Sequence, residues 1–271
     1  MNKDNLNAVC KQVKKDIIEM IYESKSGHPG GSLSCSEILT YLYNEKMNIS
    51  VENSKDDNRD RFVLSKGHAA PALYAVLAEK GFFPKEEIHN LRKIGALLQG
   101  HPDSKHINGV DVSTGSLGQG ISNAVGMALG LRQLKKSSKV YTVLGDGEVQ
   151  EGLVWEAAMA AGHYKLNNLT AIIDNNGLQI DGKNEDVMNI NPLDKKFESF
   201  GWNVVICEDG NDFDLIDKAF TEAEKCTDKP NVIIAKTVKG KGVSFMENEA
   251  MWHGAAPNEE QKNKAIEEIL A

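Results

Sequence analysis

The four cysteines of this chain, Cys10, Cys35, Cys207 and Cys226, form no C-x-x-C pair and no zinc-like spacing. That absence argues against a zinc ribbon or a disulfide framework and predicts reduced, structural thiols. No basic region followed by an apolar run opens the chain at Met1-Asn2-Lys3-Asp4-Asn5, so no secretory signal is expected. No apolar stretch approaches the length of a membrane span. Positive charge is not in excess either: the net charge of −8 and a pI near 5.5 argue against nucleic-acid or anionic-membrane partners. Repeats, low-complexity tracts and proline-rich linkers are missing as well. These absences predict a cytoplasmic globular protein with one domain spanning residues 1–271, and its 41% hydrophobic and 26% charged content fits that class. An acidic protein of this kind needs a local positive charge to hold a phosphorylated ligand, and a metal ion is one source.

Apolar spacing predicts helices over Leu6–Ser24 and Ser34–Met47, the second with Ser34 as N-cap and Glu37 in capping-box position. A short strand at 61–65 leads into a helix over Ala69–Glu79, closed by Gly81. Residues 95–120, rich in Gly, Ser, Asp and His, read as a long functional loop. A regular alternation then follows. Helices are expected over Ile121–Leu134, Leu153–Ala161, Leu193–Phe200, Phe213–Glu224 and Pro257–Leu270, with strands at 140–144, 169–174, 202–207 and 232–236. Alternating strands and helices imply an α/β fold, a doubly wound and mostly parallel sheet with helices on both faces.

Asp146 and Asn176 close two of those strands, thirty positions apart, about one strand–helix–strand unit. Parallel strands joined by such a crossover bring a carboxylate and an amide oxygen to the sheet edge where α/β proteins hold ligands. Hard oxygen donors suit Mg²⁺ or Ca²⁺, with Mg²⁺ usually shared with phosphates. Gly145-Asp146-Gly147 alone is equally a capped turn; the second polar strand end is what favours a ligand site. Gly115-Ser116-Leu117-Gly118-Gln119-Gly120 opens a small-residue helix. It fits neither the dinucleotide fingerprint nor the P-loop, and can be either an anion seat or a packing loop.

Four of the seven histidines, His28, His68, His101 and His253, lie in turn-forming surroundings that suit hydroxyl binding and proton transfer. Any one alone reads as an exposed loop residue; four of a kind point to a site. A zinc site competes, without H-x-x-x-H or Cys/His spacing to support it. His89 and His163 read as surface and cap residues, and His106 stays open. Glu151 and Glu156 begin the helix after the first strand end; Glu151 either favours its dipole, or supports the metal or meets another subunit. Lys236, Lys239 and Lys241 read as a solvated basic loop in preference to a phosphate contact.

Together these runs resemble the thiamine diphosphate enzymes, and among them the transketolase family. The motifs in order are Ser26-Gly27-His28-Pro29-Gly30, Ser65-Lys66-Gly67-His68, Gly100-His101-Pro102 and 114–120. After them come Gly145-Asp146-Gly147-Glu148-Val149-Gln150-Glu151-Gly152 with Asn175-Asn176, and Trp252-His253-Gly254. The resemblance implies that Asp146, Asn176 and the Leu178 carbonyl hold Mg²⁺, with Ca²⁺ or Mn²⁺ as substitutes. His68, Gly115, Gly147 and His253 would contact the diphosphate, Leu117 the aminopyrimidine side, and Glu151 the cofactor region. His28, His68, His101 and His253 would serve catalysis at the substrate hydroxyls. Ser116 and Gly31-Ser32 depart from common family residues and bear on loop shape and substrate preference. The length implies the thiamine diphosphate-binding half of a split transketolase. Such a half would move a two-carbon ketol unit from a ketose phosphate to an aldose phosphate only with a C-terminal subunit, in an α2β2 assembly. Another thiamine diphosphate synthase, or a non-catalytic binding fragment, remains as an alternative.

Overall fold

The computed structural model describes residues 2–271. Its helices are α1 (Lys3–Ser24), α2 (Pro29–Ser34), α3 (Ser36–Tyr41), α4 (Ala70–Glu79), α5 (Gln119–Gln133), α6 (Gly152–His163), α7 (Asn184–Val187), α8 (Leu193–Ser199), α9 (Phe213–Glu224) and α10 (Glu259–Leu270). The strands are β1 (Arg61–Leu64), β2 (Val140–Gly145), β3 (Leu169–Asn175), β4 (Leu178–Gln179), β5 (Gly182–Lys183), β6 (Asn203–Cys207) and β7 (Asn231–Lys236). Five strands form one sheet in the order β1-β2-β3-β7-β6, every neighbouring pair parallel.

The central strands are apolar on both faces, as a covered parallel sheet requires. Alternate residues divide between two cores. Phe62, Leu64, Tyr141, Val143, Ile172 and Ile233 pack on the side of α1, α3, α4 and α9. Val63, Val140, Leu144, Ala171, Ile173 and Ile234 pack against α5, α6 and α8. The expected α/β architecture is therefore the observed one. Local signals act where expected: Asp212 caps α9, and Asn258 with Gln261 forms a capping box on α10.

Two local expectations fail. The helix expected over Ser34–Met47 is broken at Cys35, whose φ of −105° and ψ of 12° separate α2 from α3, and a wide π-type turn ends it at Leu42–Lys46. Ser34 does not cap; its hydroxyl donates to Asp174 Oδ1 at 2.6 Å. Glu37 pairs with Lys14 at 2.5 Å instead of closing a capping box. The second miss is the β4–β5 hairpin, which turns through Ile180 and Asp181 with Gly182 paired to Gln179. Gln179, Ile180 and Asp181 of this hairpin overlook the carboxyl ends of β2 and β3.

Candidate active site

The register of β2 on β3 pairs Gly145 with Asp174, so Asp146 emerges one step beyond the sheet, beside the turn that carries Asn176. Its backbone N–H donates to the Asp174 carbonyl at 3.2 Å. The Asp146 carboxylate is 2% exposed and accepts from the backbone at Gly147 N, 2.8 Å, and Gly177 N, 2.5 Å. Burial first, and the neighbouring Asp174 charge second, push its pKa up to about 6. A buried carboxylate in that condition favours a cation beside it. Asn176 Oδ1 accepts from Leu178 N at 3.1 Å, while its Nδ2 faces Ser34 and Asp174 at 3.2 and 3.3 Å. Among the described residues no three His, Cys, Asp or Glu side chains are grouped to share a metal ion. Asp146 and the Asn176 amide offer hard oxygen donors, a set that would suit Mg²⁺ and not zinc.

Asp146 and Asn176 open onto a cleft of about 350 Å³, also lined by His28, His68, Gly115, Leu117, Gly147, Glu151, Leu178 and His253. The rings of His28, His68 and His253 form one cluster with centroids 5.2 to 5.4 Å apart. Neighbouring motifs shape it: a Cβ on Gly31 would lie 3.3 Å from His68 Nε2, so the glycine leaves that ring its place. His101 stands beside the cluster across Gly115, where an added Cβ would fall 3.0 Å from the His101 ring. Tyr74 steadies that loop by donating to the His101 carbonyl at 2.7 Å.

All four site histidines are held neutral. Burial lowers His28 to about 4 and His253 to about 3, helped by Arg92 at the first and Lys239 at the second. His68 falls well below its usual value through burial and then Lys66, and His101 falls through burial and then Arg92. Unfolded imidazoles then bind protons first, so this group weakens the fold as pH falls from about 6.5 toward the lower native values. The ring-carbon NMR signals of His28 and His253 are expected to stay flat between pH 8 and pH 5. A midpoint near the ordinary histidine value in either would show that burial does not control it.

Several site residues escaped the sequence reading. Lys66 is 1% exposed and forms a buried ion pair with Asp174, while its ammonium also donates to the Gly31 carbonyl at 2.8 Å. Asp174 gathers further hydroxyls from Ser34 and Thr237. Asp174 and Asn176 are two residues apart at one strand end, a spacing that could have flagged the pair. Lys239 corrects the reading of its loop as solvated: it is 2% exposed, 3.0 Å from His253 Nδ1 and 3.4 Å from the Leu178 carbonyl. Burial, then the Lys66 charge, lowers its pKa to about 8. Lys236, by contrast, pairs with Glu208 at the surface. Glu148 is buried and accepts from Ser65 Oγ at 2.5 Å, Gly118 N at 2.9 Å and Gly145 N at 3.0 Å. Glu151 stands exposed on the rim, and His89 and His106 lie on the surface in pairs with Glu23 and Asp103.

Comparison with known proteins places this geometry. Residues 6–269 match the family model described as transketolase, thiamine diphosphate binding domain. The chain is 42% identical over 269 residues to an apulose-4-phosphate transketolase subunit of Phocaeicola vulgatus, covering 99% of this chain and 95% of that one. It is 44% identical over 257 residues to the 6-deoxy-6-sulfo-D-fructose transketolase subunit SqwG of a Clostridium species, covering 95% of this chain and 93% of that one. Among solved structures, transketolase from Campylobacter jejuni superposes with a TM-score of 0.94 at 35% identity, matching 99% of this chain but only 43% of its own length. The chain belongs to the transketolase family and carries its thiamine diphosphate-binding domain.

Proposed function

We propose that this chain is the thiamine diphosphate-binding subunit of a two-subunit, cytoplasmic transketolase that moves a two-carbon ketol unit between sugars. The observation that carries the reading is one cleft in which a buried, cation-seeking carboxylate and a cluster of neutral histidines face each other. Asp146, Asn176 and the Leu178 carbonyl would hold Mg²⁺, for which Ca²⁺ or Mn²⁺ can substitute. His68, His253, Gly115, Gly147 and the buried Lys239 would face the diphosphate, and Leu117 and Glu151 the rest of the cofactor. Thiamine diphosphate, when bound, supplies the electron sink that lets a carbon–carbon bond beside a carbonyl break.

The chain's own contribution is positioning and proton handling. Neutral imidazoles accept hydrogen bonds and protons from substrate hydroxyls at physiological pH, and a cluster of them can serve successive hydroxyls. His28 Nδ1 is buried without a hydrogen-bond partner, so an acceptor or donor supplied by the ligand relieves a real deficit. Lys66 takes no part in proton transfer: its pairing with Asp174 fixes β3 and the Gly31 turn against each other.

The names of two relatives give apulose 4-phosphate and 6-deoxy-6-sulfo-D-fructose, both ending in a tetrahedral oxyanion, and sugar phosphates of that type are the proposed substrates here. Both relatives are named as subunits, and the matched C. jejuni chain is more than twice as long, which supports a separate C-terminal subunit in an α2β2 assembly. Such an activity belongs to the pentose phosphate pathway. Among the described residues no helix is long and apolar enough to cross a membrane. Mixing this chain with the matching C-terminal subunit, Mg²⁺ and thiamine diphosphate is expected to produce ketol transfer that neither chain gives alone. Full activity of the isolated chain would overturn the split-enzyme reading.

A further inference from the structure

We propose that Asn184 is a positioning residue of the metal site, its side-chain amide donating to the Asp146 carboxylate when a cation is bound; this rests on the Mg²⁺ and thiamine diphosphate reading above. Asn184 opens α7 directly after the β4–β5 hairpin, and the main chain fixes its place. Its backbone N–H donates to the Gly177 carbonyl at 2.9 Å, and the Gly177 N–H in turn donates to Asp146 Oδ2 at 2.5 Å. The side chain then turns toward Gly145-Asp146-Gly147. A Cβ added to Gly147 would lie 3.6 Å from Asn184 Oδ1, so the amide stands against the residue that follows Asp146.

The amide is buried and unused. Asn184 is 4% exposed, and neither its Oδ1 nor its Nδ2 has a hydrogen-bond partner. Among the described residues no other side chain holds two such atoms. Nor does it cap its helix: Lys183 occupies the N-cap of α7, and no side-chain cap bond is made. Asn176, by contrast, is engaged at both ends of its amide. A buried polar group without partners costs stability, and such groups gather where a ligand completes them.

Asp146 is the group that the amide can complete. An ionised carboxylate has about four lone-pair positions, and the Gly147 and Gly177 N–H groups occupy two of them. A cation takes a third and leaves one for Asn184 Nδ2. Burial and the Asp174 charge raise the Asp146 pKa, and the donors that oppose the rise are Gly177 N, the Asn184 side chain and Gly147 N. The amide is therefore near enough to act on the carboxylate, without yet meeting it at hydrogen-bond geometry. A donor in that place keeps the carboxylate ionised and fixes which lone pair faces the ion. Being uncharged, it does so without altering the balance between the ion and an anionic diphosphate.

The test uses the enzyme assembled from both chains, titrated in a calorimeter with thiamine diphosphate at fixed Mg²⁺ and with Mg²⁺ at fixed thiamine diphosphate. Asn184→Ala is expected to weaken Mg²⁺-dependent cofactor binding about ten- to a hundredfold, as removal of a group that orients a metal ligand typically does. Denaturant unfolding of the same chain without cofactor is expected to show an unchanged or higher midpoint, because the substitution breaks no side-chain hydrogen bond. A merely structural asparagine would lower both together, and that result would overturn the proposal. Asn184→Asp keeps the shape but replaces the donor with an acceptor, and is expected to weaken binding at least as much. Tighter Mg²⁺ binding by Asn184→Asp would instead make position 184 a direct ligand and reject the positioning role. Unchanged binding in Asn184→Ala would reject it as well, and would assign the amide to solvent in the cavity of about 360 Å³ that Asn184 also lines. Asp146→Ala separates the two readings. If it leaves binding intact, the metal site fails and Asn184 with it; binding lost there but kept in Asn184→Ala removes Asn184 alone.

Discussion

Replacing Asp146 with alanine is expected to abolish Mg²⁺-dependent thiamine diphosphate binding by the assembled enzyme and to cut turnover about a thousandfold or more. The carboxylate is buried among backbone donors and lies near a second carboxylate, Asp174, so its charge is held at a cost until a cation arrives. In the proposed site Asn176 would contribute an uncharged oxygen and the Leu178 carbonyl another, leaving Asp146 as the anionic member of that set. Asp146→Asn keeps the shape but removes the charge and leaves one acceptor oxygen for two backbone donors, and it is expected to be nearly as damaging. Titration of the cofactor with and without Mg²⁺, followed by intrinsic fluorescence, reads the effect apart from activity. Unaltered metal-dependent binding in either variant would sink the assignment and favour a non-catalytic role.

A second large effect is expected from the ion pair beneath the cleft. Lys66→Met leaves the Asp174 carboxylate buried without its cation, and a loss of about 3–5 kcal/mol in folding stability follows from removing one partner of such a pair. The hydroxyls of Ser34 and Thr237 soften the loss without cancelling it. Lys66→Met combined with Asp174→Leu is expected to recover much of the deficit, because two apolar side chains of similar volume avoid the stranded charge. Denaturant unfolding of the single and double variants gives the comparison. Single variants within about 1 kcal/mol of the wild type would mean that water reaches the pair and that it is not buried in solution.

What the sequence made legible was local. Asp146 and Asn176 were readable because each ends an apolar strand and the crossover length places the strands side by side. The histidine loops were readable because glycine and proline mark them as turns. The alternation of strands and helices carried the sheet itself, since buried parallel strands advertise themselves as unbroken apolar runs. What stayed hidden depends on residues distant in the chain. Lys66 meets Asp174 across 108 positions, and Ser34 has no capping role because it ends α2, where its hydroxyl donates to Asp174, 140 positions away. Lys239 looked like any lysine in a basic loop until α2 and the His253 turn closed over it, with a Cβ on Gly30 falling 3.1 Å from its side chain.

Glu148 has a mechanical meaning beyond its hydrogen bonds. One carboxylate fastens the glycine loop at Gly118, the end of β2 at Gly145 and the end of β1 through Ser65. The wall formed by the glycine loop and the wall that carries Asp146 are thus tied by a single knot. A displacement of either wall must therefore break a hydrogen bond to a buried carboxylate, which couples the position of one wall to that of the other.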